Sequence, residues 1–226
     1  MQRYNIFYQI HKGLRAMLYQ TAGLLQQTDF NNQEEADLAL AQVEQVLDLF
    51  DEHAHSEDSL VLPAIELYEP SVVTLFEEEH VEDHALGNQL RNLLNIFNAV
   101  EYAEEKNMAG SAIRFSFNEF LVFNLKHMAK EESLLNNLLW QYYTDSELHA
   151  ITMKILAKLP PERMQQYNTW IMRGLSNNEI IGWLNEVKNT APDFVFNGIY
   201  QLAQKELPLE RWAAVNAGIA DELITA

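Results

Sequence analysis

The chain contains no cysteine, and this absence excludes several kinds of site. Disulfides, iron–sulfur clusters, thiolate zinc sites and catalytic thiols all require that residue. Basic residues are also few: 15 lysines and arginines stand against 33 aspartates and glutamates, which gives a formal net charge of −18. Such a balance disfavours binding to nucleic acids or to anionic membrane surfaces. We therefore expect neither as a partner.

Long apolar runs are absent as well. No stretch of the sequence approaches the roughly 18 apolar residues that a membrane-spanning helix needs, and the first residues lack the apolar core of a signal peptide. Hydrophobic residues make up 48% and charged residues 21% of the chain, as in ordinary globular proteins. These features predict a cytoplasmic protein.

Glycine is scarce, and apolar residues recur at steps of three and four, which indicates helices. Four long helices are predicted. The first runs from about residue 4 to 27, and the second begins at Asn31 or Asn32 as its cap and kinks or ends at Pro63. The third begins at Pro70, and the fourth begins at about Ser111, after a break at residues 107–110. Because the connections are short, the pattern predicts an all-α, up-down-up-down four-helix bundle over residues 1–143.

The character of the sequence changes after residue 143. Capping-box pairs, Thr144 with Glu147 and Ser176 with Glu179, begin shorter helices, and prolines separate them. We interpret residues 144–226 as a small, aromatic-rich helical appendix at the C-terminus. It is predicted to pack on the bundle or to form the interface with a second copy or another protein, rather than to hold a second active site.

Histidines and acids interrupt the apolar stripes of the long helices. A residue and its neighbour four positions on lie on the same helix face, so a pair at this spacing can hold one cation. Three helices carry such pairs, and the first carries a single histidine. On a straight helix residue 131 is better placed than residue 132, although 132 could reach a metal displaced to one side. The candidate ligands are His11, His53, Glu57, His80, His84, His127, Glu131 and Glu132.

The residue types indicate which metal would bind. Imidazole and carboxylate together favour iron, manganese or zinc over calcium or magnesium. A tetrahedral zinc needs only four ligands, so the larger candidate set suggests two metals. A faint repeat supports a site with pseudo-twofold symmetry, since His53-Ala-His-Ser-Glu57-Asp-Ser-Leu matches His127-Met-Ala-Lys-Glu131-Glu-Ser-Leu at histidine, at both acids and at Ser-Leu.

The order His, His-x-x-x-Glu, His-x-x-x-His, His-x-x-x-Glu-Glu resembles that of the hemerythrin-like family, the HHE cation-binding domains, over about residues 4–143. The resemblance implies two irons joined by an oxo or hydroxo bridge, with Glu57 and Glu131 as bridging carboxylates. Classical oxygen carriers place the last acid five residues after the histidine, as Glu132 stands here, and other members place it at the fourth, as Glu131 does. The implied terminal ligands are His11, His53, His80, His84 and His127.

The resemblance implies a protein that binds dioxygen or nitric oxide, or senses iron or oxygen, without turning over an organic substrate. Two alternatives stay open. One is a di-iron enzyme, either an iron-donating repair protein or an oxidase; a ferritin-like oxidase is disfavoured because residues 1–28 contain no acid. The other is an interaction protein whose site is vestigial or holds zinc. Zinc or manganese could also substitute for iron.

Overall fold

The computed structural model describes the backbone of residues 3–225 and the side chains of residues 3–219. Regular structure in this range is helical, without strands. Two π-helical segments, Glu57–Val61 and Glu131–Leu135, connect α2 to α3 and α5 to α6. The helices are α1 (Tyr8–Gln27), α2 (Gln33–Ser56), α3 (Leu62–Glu66), α4 (Pro70–Ala99), α5 (Ala103–Lys130), α6 (Asn136–Tyr142), α7 (Asp145–Leu156), α8 (Pro161–Gly174), α9 (Asn177–Thr190), α10 (Asp193–Glu206) and α11 (Leu209–Thr225).

The predicted all-α fold is confirmed: four long helical segments form the bundle, and shorter helices follow. The predicted helix-start signals are found at the starts of helices. The side chain of Asn32 accepts hydrogen bonds from the first turn of α2, and Pro70 lies in the first turn of α4, where its missing N–H is harmless. Both predicted capping boxes form, at the starts of α7 and α9. No helix within residues 3–225 is long and apolar enough to cross a membrane.

Two helix boundaries differ from the prediction. The helical path changes to π-helix at Glu57 and resumes as α3, so it runs past Pro63, which was expected to kink or end it. The fourth helix begins at Ala103 rather than near Ser111. Gly110 is not a break, because a Cβ there would lie 2.2 Å from the ring of Phe30, so glycine allows close packing inside a continuous helix.

The described residues divide into two compact units. The first comprises residues 3–8 and 17–159, so α7 lies with the bundle; the second comprises residues 9–16 and 160–225. One core of the first unit consists of Phe7, Val61, Leu62, Ile65, Val73, Phe76, Leu135, Leu139 and Leu148. The core of the second consists of Met172, Leu175, Ile180, Leu184, Ala203, Leu207, Val215 and Ile219. A functional boundary at residues 143 and 144 stays a prediction.

Within the second unit, two glycines bring the segment 9–16 close to α8. A Cβ on Gly174 would lie 2.3 Å from the carbonyl oxygen of Lys12, and a Cβ on Gly13 would lie 2.8 Å from the backbone nitrogen of Ile171. The Lys12 ammonium also pairs with both carboxylate oxygens of Glu179 at 2.7 Å. Backbone packed against backbone leaves little room for relaxation.

Replacing Gly174 by alanine is therefore expected to lower the free energy of unfolding by about 1–3 kcal/mol, since the added methyl group forces the two backbones apart. Urea denaturation measures this change. Gly182→Ala is the matched control, because a Cβ there meets no atom within 4 Å; it should be neutral or stabilise α9 by up to about 1 kcal/mol. Equal stability of the two variants would contradict the close approach.

Candidate metal centre

The two halves of the sequence repeat form matching histidine–carboxylate pairs in the bundle. His53 Nε2 lies 3.2 Å from Glu57 Oε1, and His127 Nε2 lies 3.2 Å from Glu131 Oε1. In both halves the histidine stands on an α-helix and the glutamate is the first residue of a π-helical segment. Such π-helical interruptions are frequent at functional sites. The repeat is thus a structural repeat as well as a sequence repeat.

His80 of α4 joins these two pairs. Its Nε2 lies 3.5 Å from Glu57 Oε2 and 3.1 Å from His127 Nε2. The ligand atoms of Glu57, His80, His127 and Glu131 all lie within 4.8 Å of one another, and all four residues are buried. Those of His53, Glu57 and Glu131 likewise lie within 4.8 Å of one another. The two carboxylates are therefore common to both sets.

Carboxylates on the outer side of the cluster orient two of the imidazole rings. Asp58 accepts a hydrogen bond of 2.6 Å from His80 Nδ1, and Glu79 accepts one of 2.9 Å from His127 Nδ1. Glu79 is itself paired with Lys130. Because a carboxylate can only accept, each Nδ1 carries the hydrogen and each Nε2 turns inward, as in the carboxylate–histidine–metal arrangement of metalloproteins.

The charges of the cluster are strongly coupled. Burial disfavours the charged ring of His80, but its hydrogen bonds to Asp58 and Glu57 prevail and raise its pKa to about 10. Burial also disfavours the charged form of His127, but its hydrogen bond to Glu131 favours that form, and the pKa of His127 rises to about 9. Burial and the nearby charge of Glu131 raise the pKa of Glu57 well above its usual range. The arrangement requires positive charge at its centre.

This donor set fits a cation. With both Nδ1 atoms donating outward, the Nε2 atoms of His80 and His127 face each other at 3.1 Å. Each Nε2 therefore needs either a proton, which Glu57 or Glu131 can accept, or a metal ion. Neutral imidazoles and carboxylates, with their oxygens turned to the same point, are the ligands of iron, manganese and zinc.

Two of the expected ligands, His84 and Glu132, do not belong to these sets. His84 is 45% exposed and donates from Nδ1 to Asp51 at 3.1 Å. Glu132 is half-buried and follows Glu131, whose carboxylate takes the inward position. His11 lies on α1 and is completely buried; it belongs to the segment 9–16 of the second unit. Their ligand roles stay predictions.

Sequence reasoning missed the buried polar residues that surround the rings. Asp83 is 4% exposed and accepts a hydrogen bond of 2.6 Å from Asn124, and burial raises its pKa. Its spacing of three from His80 places it on the same helix face, a signal that was available beside the spacing of four to His84. Glu79 gave no such signal, because its partner His127 stands on another helix.

The difference between His80 and His84 predicts different losses on truncation. His80→Ala is expected to weaken metal binding by more than about 100-fold, because even outer residues of a metal site contribute about 10–100-fold. His84→Ala is expected to cost less, since its ring pairs with Asp51. Metal content after dialysis against a chelator measures both. Equal losses would show that His84 turns inward when metal binds.

Two histidine–glutamate pairs, joined by His80 of a third helix of the bundle, define a helical protein with a buried candidate cation site. The family model for the hemerythrin HHE cation-binding domain matches residues 2–139, and the chain belongs to this family. No curated protein and no solved structure matches the chain.

Proposed function

We propose that the protein is a non-haem di-iron protein that binds dioxygen or nitric oxide, or senses iron or oxygen, through the bundle site. The observation that carries this proposal is the convergence of His80, His127, Glu57 and Glu131, whose ligand atoms lie within 4.8 Å in a buried place. Family membership supports it. A bound iron pair would supply an open coordination position for a diatomic ligand.

In this proposal Glu57 and Glu131 would be ligands of both metals, and histidines would complete each ligand set. His80 and His127 would hold one metal and His53 the other, with His11 as a further candidate ligand. The support for His53 is its 3.2 Å distance to Glu57; the support for His11 is its burial and the family's histidine order. His84 enters the ligand set only if its ring leaves Asp51.

The repeat supports a different role for Glu132. It corresponds to Asp58, which stands one residue after Glu57 and accepts a hydrogen bond from a histidine ring. By this correspondence we propose that Glu132 orients a ring and Glu131 bridges. A cytoplasmic location and a homodimer or partner interface on the C-terminal helices stay predictions from the sequence.

Elemental analysis with an absorption spectrum, recorded after reduction and then after exposure to air, tests the function. About two irons per chain, with charge-transfer bands that appear and disappear reversibly, are the expected result for gas binding. Iron that oxidises once and is then released would support the repair alternative instead. Absence of iron after expression in iron-rich medium would contradict the proposal and favour an interaction protein.

A further inference from the structure

One buried polar side chain in the helical segment that follows Glu131 has no role in the ligand set. Asn136, the first residue of α6, is completely buried, and among the described residues neither its Oδ1 nor its Nδ2 has a hydrogen-bond partner. Buried amides in proteins are almost always paired with protein groups, water or a ligand, because an unpaired donor or acceptor costs free energy. Asn136 therefore needs a partner that is not a protein group.

The π-helical segment places Asn136 one turn after Glu131. Its backbone N–H donates to the carbonyl of Glu131, a bond that spans five residues and closes one π-helical turn. Asn136 thus follows Glu131 by one turn on the same side of the helix. Cα–Cβ bonds tilt toward the helix N-terminus, so the Asn136 side chain leans toward the turn that contains Glu131.

The repeat shows that this amide is a departure from symmetry. Leu62 is the equivalent residue in the other half, because its N–H donates to the carbonyl of Glu57 across the same kind of turn. Leu62 is 1% exposed and packs in the apolar core of the first unit. The same kind of turn therefore forms with a purely apolar side chain at the equivalent position.

We propose that Asn136 is the hydrogen-bonding partner of a small ligand that enters the site beside Glu131. The ligand class is a small molecule or anion with a terminal oxygen or nitrogen atom: Nδ2 donates to that atom, and Oδ1 accepts from a ligand proton or from water. This inference rests on the proposed metal-binding function. It makes the two halves of the site unequal, with ligand binding favoured in the half that contains Asn136.

Azide binding to the iron(III)-loaded full-length protein tests the proposal, followed by the absorption band that azide produces. Asn136→Leu, which copies the residue of the other half, is expected to keep its iron and to weaken azide affinity by about tenfold, the effect of one lost hydrogen bond. Asn136→Ala serves as the second variant if leucine disturbs folding or iron loading, and the same loss is expected.

Ser116→Ala is the matched control. Ser116 is also buried and its Oγ also lacks a partner among the described residues, but it stands on α5 eleven residues before His127, about three helical turns away. Its substitution should leave azide affinity within about twofold of the unmodified protein, because it removes a buried polar group without touching the site.

A second readout needs no metal. In the metal-free protein Asn136→Leu is expected to melt at the same temperature as the unmodified protein or higher, because an unpaired buried amide is removed. A clear loss of stability would mean that Asn136 supports the fold, and would overturn the proposal. Unchanged azide affinity in iron-loaded Asn136→Leu and Asn136→Ala would overturn it as well while leaving the metal site intact. Absence of iron from the unmodified protein would overturn the proposed function together with this inference.

Discussion

Glu131→Gln is expected to reduce the metal content sharply, with affinity lower by more than about 100-fold. The Glu131 oxygens lie within 4.8 Å of the ligand atoms of His80 and His127 and also of His53 and Glu57, so this residue is common to both ligand sets. Glutamine keeps the size of the side chain but removes its charge and one of its two acceptor oxygens. Since changes outside the ligand shell already cost about 10–100-fold, loss of a shared ligand should cost more.

Glu132→Gln is the matched control, one residue away and of the same chemistry. If Glu132 orients a ring, as Asp58 does for His80, its loss should lower metal affinity by about tenfold and leave the metal stoichiometry unchanged. Both variants are compared by metal analysis after dialysis against a series of chelators of known strength. Greater metal loss from Glu132→Gln than from Glu131→Gln would reverse the two assignments.

The local parts of the site could be predicted from the sequence. A histidine and a glutamate four residues apart share a helix face whatever the rest of the chain does, and both predicted pairs, His53 with Glu57 and His127 with Glu131, are found at 3.2 Å. The four-helix order followed from the same periodicity. These inferences depend only on α-helix geometry and short connections.

The parts that depend on packing between helices could not be predicted. His80 and His84 both fit the inner face of α4 by spacing, but packing turns Asp83 inward against Asn124 and leaves His84 with Asp51 near the surface. The π-helical segments were also missed, because their residues follow the same apolar steps as an α-helix. Gly110 was interpreted as part of a helix break, because the sequence does not show that the ring of Phe30, which is distant along the chain, packs against it.

Removal of metal is expected to lower the melting temperature and to reverse its dependence on pH. A metal present at 1,000 times its dissociation constant adds about 4 kcal/mol to the stability, which corresponds to roughly 10 °C for a chain of this length. Calorimetry of the metal-loaded and the chelator-treated protein, repeated between pH 5.5 and pH 10, measures both effects.

The opposite pH dependences follow from the protons that each folded state holds. In the metal-free protein the pKa values of His80 and His127 are raised to about 10 and about 9, above the usual 6.5 of unfolded histidine. The folded state then holds more protons than the unfolded chain, so the stability from these rings is complete below pH 6.5 and is lost as pH rises toward 10. In the metal-loaded protein the rings hold no proton at Nε2, so stability rises up to about pH 6.5 and then levels.

The His80→Ala variant separates the rings from the other titrating groups of the protein. Without metal, its alkaline loss of stability should be smaller than that of the unmodified protein, because one of the two rings with a raised pKa is absent. The raised pKa of Glu57 acts in the same direction and remains in the variant, so part of the loss should persist. A metal-free protein whose stability is level from pH 6.5 to 10 would show that the cluster holds no excess protons. The facing Nε2 atoms would then have separated, and metal binding would have to draw His80 and His127 together rather than displace the protons that the two rings hold.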